Sequence, residues 1–169
     1  STCGASYPNE GTPYLCPTCG GIYDFAEDFD FDPNQVEPRQ PGMWRYRKAF
    51  GLGDNLPVIS LGEGRTPLVW VSNVGRQAAF KLEYQNPTGS YKDRGSAVLV
   101  SQLLSRGVRE AVEDSSGNAG ASFATYAARA GIQARVFVPE SASGPKRVQI
   151  EKAGAELVLT HGHELKLVF

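Results

Sequence analysis

Lys92 lies in the run Asn86-Pro87-Thr88-Gly89-Ser90-Tyr91-Lys92-Asp93-Arg94-Gly95, among neighbours that could turn an amine into a nucleophile. An exposed lysine has a pKa near 10.4, so only roughly one in two thousand is unprotonated at neutral pH, and condensation with a carbonyl compound needs that form. Desolvation or a neighbouring cation lowers the pKa, and Arg94 is a cation close in sequence. Thr88 and Ser90 offer hydroxyls to a bound ligand, and Gly89 permits a tight turn. A plainer reading of the same string has Asp93 stabilising a helix amino end, Lys92 and Arg94 solvated, and Pro87 with Gly89 making a turn.

A second run, Glu113-Asp114-Ser115-Ser116-Gly117-Asn118-Ala119-Gly120, reads as a strand passing straight into a helix. Backbone N–H groups and two hydroxyls would converge there, where the helix dipole favours an anion such as a carboxylate. Asn118 adds an amide that can hydrogen-bond a ring hydroxyl without supplying charge. The alternative makes Ser115 or Ser116 an ordinary helix cap.

The third set of reactive residues is the cysteines. Cys16-Pro17-Thr18-Cys19-Gly20 has the C-x-x-C-G form of a zinc-ribbon knuckle, and Cys3-Gly4 resembles the second half of another, whose partner would fall one position before Ser1. Cys3, Cys16 and Cys19 are therefore candidate ligands for zinc, and reduced free thiols are the alternative. His161 and His163 lie near the end of the sequence and receive no metal role, since terminal histidines are usually solvated.

These residues need elements to position them. After Pro57, short apolar runs alternate with helical stretches, the pattern of strands joined by crossover helices. Strands are expected over 78–83, 110–114, 135–139 and 155–160, and helices over 96–106, 118–130 and 145–152. Gly107 and Gly131 stand as the stops of the first two helices. The fold class is thus α/β, a parallel sheet with crossover helices, preceded by a small zinc-ribbon-like module. The expected division is a cysteine-knuckle module over 1–30, a linker or short helix over 31–57, and an α/β domain over 58–169. Ligands of such sheets sit beyond the carboxyl ends of the strands, and both polar runs fall at loops of that kind.

Of 169 residues, 41% are hydrophobic and 21% charged, with a net charge of −1, a balance suited to a folded domain. No global field favours nucleic acid or an anionic membrane, and no run of about 18 apolar residues or signal-peptide pattern is present. A cytoplasmic location is expected, with a small molecule as partner, no nucleic acid and no membrane. An open sheet edge would also admit a second copy, as in a homodimer.

Taken together, the lysine decapeptide, the Ser-Ser-Gly-Asn loop and Leu61-Gly62-Glu63-Gly64-Arg65-Thr66-Pro67-Leu68 resemble threonine synthases, pyridoxal-phosphate enzymes of the tryptophan-synthase-β-like fold. The resemblance runs from about Val58 to Thr160. It implies pyridoxal 5′-phosphate as cofactor, Lys92 as its Schiff-base lysine and proton shuttle, and Asn118 at the cofactor's ring hydroxyl. It places Ser115, Ser116, Gly117 and Ala119 at the substrate carboxylate. The implied reaction, in threonine biosynthesis, is a lyase step that converts O-phospho-L-homoserine, an amino-acid phosphate, and water to L-threonine and phosphate. Serine and threonine dehydratases share a comparable lysine and Ser-Gly-Asn loop, and cysteate-synthase-like relatives are also similar, so the substrate stays open at this point. The family's glycine-rich phosphate loop and pyridine-nitrogen partner lie downstream of these motifs. On that resemblance the 169 residues carry about half a site, and a non-catalytic binding fragment is the competing expectation.

Overall fold

The computed structural model describes residues 1–24, 31–53, 55–72, 77–142 and 144–161. Two short strands, β1 (Leu68–Val71) and β2 (Ala78–Lys81), form an antiparallel ribbon in which Val69 opposes Phe80. Helix α1 spans Lys92–Ser105, β3 Glu110–Asp114, α2 Asn118–Ala130, β4 Gln133–Pro139, α3 Gly144–Lys152 and β5 Glu156–Thr160. Strands β3, β4 and β5 make a parallel sheet in that order, with Val112 opposite Arg135 and Phe137 opposite Val158.

The parallel sheet and its helices follow the expected alternation, and α2 has the expected bounds. The strand expected over 78–83 does not join that sheet. It ends at Lys81 and pairs with β1, because the connection from Val71 to Ala78 is too short for a parallel crossover, which needs a dozen or more residues. Helix α1 begins at Lys92 rather than at 96, since its first turn is held by polar contacts that leave no apolar periodicity to read.

One core joins the layers. Val136 and Val138 alternate inward on β4 and are fully buried, as are Ala121, Tyr126 and Ala127 of α2 and Ala97 and Val100 of α1. Small residues along α2 let it lie close to the sheet. A Cβ on Gly120 would stand 2.3 Å from the Ser115 carbonyl oxygen and 3.1 Å from Val136 Cγ1, so only glycine fits there. The stretch over 31–57, expected as a linker or short helix, contains 3-10 helices at Pro33–Gln35 and Gly42–Phe50 and contributes Met43, Trp44 and Leu56 to the core. His161 pairs with Glu140 at 3.3 Å, and both are exposed. His163 lies outside the described residues. Among the described residues, no helix is long and apolar enough to cross a membrane.

Candidate active site

The lysine loop is organised by Asp93, a fully buried carboxylate. Its Oδ2 accepts from the Thr88 backbone N–H at 2.7 Å, and its Oδ1 accepts from the Thr88 hydroxyl and from Ser122 Oγ at 2.7 Å. Ser122 belongs to α2, so one carboxylate ties the first turn of α1 to the second turn of its neighbour. Gln149 of α3 adds a hydrogen bond to the Thr88 carbonyl at 3.3 Å. The turn itself closes with the Gly89 N–H on the Asn86 carbonyl at 2.8 Å, at a φ of 83° that glycine adopts without strain.

Lys92 therefore stands on the first residue of a helix whose orientation is fixed from three sides. Its side chain is half-buried and its Nζ lies 4.9 Å from the Tyr91 ring centroid. Among the described residues no carboxylate lies within 4.0 Å of that amine, which leaves it free to meet a carbonyl group. Glu113, near the end of β3, is within its electrostatic reach. Burial and then the neighbouring Asp114 raise the Glu113 pKa, and the Lys92 charge opposes that rise.

Three groups expected to serve the Lys92 site have other partners. The Thr88 hydroxyl is committed to Asp93, and Ser90 Oγ accepts the Lys92 backbone N–H at 3.2 Å. The Arg94 guanidinium forms a two-point ion pair with Glu83, Nε to Oε2 at 2.8 Å and Nη2 to Oε1 at 2.9 Å. That pair, with further bonds from Thr66 and Asn86, holds Glu83 at about 2, while the same carboxylate raises the Arg94 pKa. Arg94 works as a strut between the lysine helix and the 66–86 region, not as the expected cation for Lys92.

The run 115–119 crosses from β3 into α2. The Gly117 N–H bonds Ser115 Oγ at 3.3 Å, and the Gly117 carbonyl accepts the first helical bond, from Ala121 at 3.2 Å. The Asn118, Ala119 and Gly120 N–H groups thus stand at the open helix start, where the dipole favours an anion. Asn118 is exposed, and Ser115, Ser116, Gly117 and Ala119 are half-buried. Since Asp93 and Ser122 join the two helix starts, Lys92 and Asn118 each open a helix at the same end of one packed pair.

Glu63, to which no role is assigned from sequence, is the other buried anchor. Its carboxylate accepts from Trp44 Nε1 at 2.8 Å, Tyr126 Oη at 2.7 Å, the Leu61 N–H at 2.9 Å and Ser60 Oγ at 3.2 Å. Burial and then the bond to Glu63 push the Tyr126 pKa upward. The Gly64 N–H reaches Asn86 Oδ1 at 3.0 Å. The three polar motifs are thus stitched to one another through Glu63, Glu83, Asn86 and Asp93. A glutamate between glycines, followed by a threonine and a proline, carries no periodicity that would announce this.

Cys3, Cys16 and Cys19 come together with all three sulfurs within 4.8 Å of one another, far along the chain from Lys92. Hydrogen bonds from the Cys19 and Thr18 backbone, aided by Tyr23, bring Cys16 down to about 6. Thr2, then the Gly21 backbone, lower Cys19 as well. A cleft of about 760 Å³ lies at the amino-terminal ends of β3 to β5 and is lined by Val108, Ala111 and Gln133. It lies at the wrong end of the strands to serve the lysine and Ser-Ser-Gly-Asn loops.

Comparison with known proteins converges on one family. Residues 59–166 match the model described as pyridoxal-phosphate dependent enzyme. The chain is 36% identical to a threonine synthase of Methanocaldococcus jannaschii, over 95% of this chain and 42% of that protein. It is 40% identical to a threonine synthase of Mycobacterium bovis, over 78% of this chain and 38% of that one. Among solved structures, an O-acetylserine dependent cystathionine beta-synthase from Helicobacter pylori superposes with a TM-score of 0.53 at 29% identity, covering 58% of this chain and 35% of that chain. The chain spans about two-fifths of the length of the curated relatives it matches.

Proposed function

This chain belongs to the pyridoxal-phosphate-dependent enzymes, and on that premise we propose that it supplies the lysine and substrate-carboxylate side of a threonine synthase-like lyase acting on O-phospho-L-homoserine. The observation that carries the reading is the Asp93–Ser122 bond, 2.7 Å long, which sets Lys92 and Asn118 at the same end of two packed helices. The donor set fits the cofactor. An amine with no carboxylate partner among the described residues suits its carbonyl, and an exposed amide suits its ring hydroxyl. Pyridoxal phosphate, when bound, supplies the electron sink for carbanion chemistry.

In this reading Lys92 Nζ would hold the carbonyl end of the cofactor and, as a free amine, would carry a proton between the substrate carbons during phosphate elimination and water addition. Asn118 orients the ring without adding charge. The open N–H groups at the start of α2, together with Ser115, Ser116, Gly117 and Ala119, receive the substrate carboxylate, which the helix dipole stabilises.

Incubation of the chain with pyridoxal phosphate, borohydride reduction and peptide mapping test the lysine assignment. Label concentrated on Lys92 is expected, and label spread evenly over the lysines overturns it. In the intact protein, phosphate release from O-phospho-L-homoserine is expected to fall by orders of magnitude in Lys92→Ala. Formation of a 2-oxo acid from threonine, with no phosphate release from phosphohomoserine, would replace the synthase reading by a dehydratase.

A further inference from the structure

The cysteine cluster lies apart from the lysine site, and its sulfurs stand at separations that a metal ion can bridge. Four sulfurs bound tetrahedrally at about 2.3 Å stand about 3.8 Å from one another. Cys3 Sγ and Cys16 Sγ are 3.7 Å apart, and the whole set lies within 4.8 Å. A disulfide would need about 2.0 Å. The knuckle is formed by Gly20 N–H on the Cys16 carbonyl at 2.8 Å and Cys16 N–H on the Gly21 carbonyl at 2.9 Å. Yet Cys16 is the only buried residue among the described residues 1–24. Apolar burial is too small to hold three sulfurs at such separations, and small modules of this kind draw their folding energy from the ion.

The module is also clamped to the lysine helix. Tyr23 hydrogen-bonds Cys16, and its ring meets Tyr7 edge-on at 4.8 Å and 76°. The Arg106 guanidinium lies 4.7 Å over the Tyr7 ring and donates to the Pro8 and Gly11 carbonyls at 2.9 and 2.7 Å. Arg106 is the residue that caps the carboxyl end of α1, with its N–H shared among the Gln102, Leu103 and Leu104 carbonyls. Lys92 opens the same helix.

We propose that Cys3, Cys16 and Cys19 form a three-thiolate site for a soft divalent cation, with Zn²⁺ the fitting ion, and that its occupancy steadies the carboxyl end of α1 through Tyr23, Tyr7 and Arg106. Thiolate ligands select Zn²⁺ over hard cations. Binding releases the protons of the protonated thiols to solvent, and a donor from outside the three cysteines completes the tetrahedron. With the sulfurs fixed, Tyr23 and Tyr7 keep one arrangement, and the ring and carbonyls that Arg106 grips stay in register.

The test is made on the whole chain with Co²⁺ as the optical probe, Zn²⁺ as competitor, and hydrogen exchange at the amides of 104–108. Wild type is expected to develop a sulfur-to-cobalt charge-transfer band at one ion per chain, which Zn²⁺ abolishes. Zn²⁺ is expected to slow exchange at 104–108 roughly tenfold, within the usual range of coupling between sites. Arg106→Ala should keep the band, lose the zinc-dependent slowing, and bind Zn²⁺ more weakly by the same factor, since coupling is reciprocal. Cys19→Ser, at an exposed position, and Cys16→Ser should each weaken the band. No thiolate band in wild type overturns the site. A band with no slowing in wild type, or equal slowing in wild type and Arg106→Ala, overturns the coupling. Neither result touches the lyase reading, which rests on Lys92.

Discussion

Glu83→Gln tests whether the ion pair with Arg94 holds the lysine helix against the 66–86 region. The substitution keeps the side chain's shape and removes its charge. Arg94, then Thr66 and Asn86, hold the Glu83 carboxyl at about 2 against an ordinary 4.5. At 1.36 kcal/mol for each pH unit, that difference corresponds to about 3 kcal/mol of preference for the charged form. The Glu83 and Arg94 side chains remain 26% and 33% exposed, so solvent screening reduces the contribution to about 1–2 kcal/mol.

The sign follows from linkage. A carboxylate whose pKa is depressed by folding stabilises the native state fully above 4.5 and loses that stabilisation as pH falls toward about 2. Glu83→Gln should therefore cost about 1–2 kcal/mol at pH 7, and wild type and variant should converge as the pH drops through that window. Urea denaturation followed by tryptophan fluorescence at several pH values reads the difference, with an unchanged slope confirming that the same surface unfolds. A cost that stays constant from pH 7 to pH 2.5 would refute the electrostatic account and assign the loss to packing.

Gly120→Ala forces a methyl to 2.3 Å from the Ser115 carbonyl oxygen; a destabilisation of about 2 kcal/mol or more and less specific labelling at Lys92 are expected, and a neutral melting temperature would contradict the close approach. Ser122→Ala removes one of the hydrogen bonds to the buried Asp93 and should cost about 1–3 kcal/mol, read by the same denaturation. Glu63→Gln sets an amide against the indole, hydroxyl and backbone donors that the carboxylate now accepts; a loss of about 2–3 kcal/mol is expected, with a change in Trp44 emission that an exposed tryptophan would not show.

The sequence made α2 legible to the residue, because its apolar face repeats at helical spacing and Gly131, at a φ of 69°, ends it. The start of α1 was hidden for a physical reason. Lys92-Asp93-Arg94-Gly95 has no apolar stripe, and what fixes that turn is a buried carboxylate bonded to residues 88 and 122. No strand is expected over 68–71, and the one expected over 78–83 pairs with it instead of joining the parallel sheet, because a short apolar run looks the same in parallel and antiparallel pairing and only the partner strand decides.

The site residues divide in the same way. Lys92, Asn118 and the three cysteines announce themselves by type and spacing, since the chemistry needs an amine, an amide or a sulfur. The residues that position them announce nothing. From sequence Thr88 and Ser90 look like ligand groups and Arg94 like a cation for Lys92, yet the Thr88 hydroxyl bonds Asp93, Ser90 Oγ accepts the Lys92 backbone N–H, and Arg94 pairs with Glu83. Which donor meets which acceptor is fixed only when α1, α2 and the 60–68 segment pack. That packing gives the motifs a second reason for their composition. Glu63, Glu83, Asn86 and Asp93 each bond to a residue outside their own turn, so a change in one motif moves the others, and Lys92 keeps its place only while all of them hold.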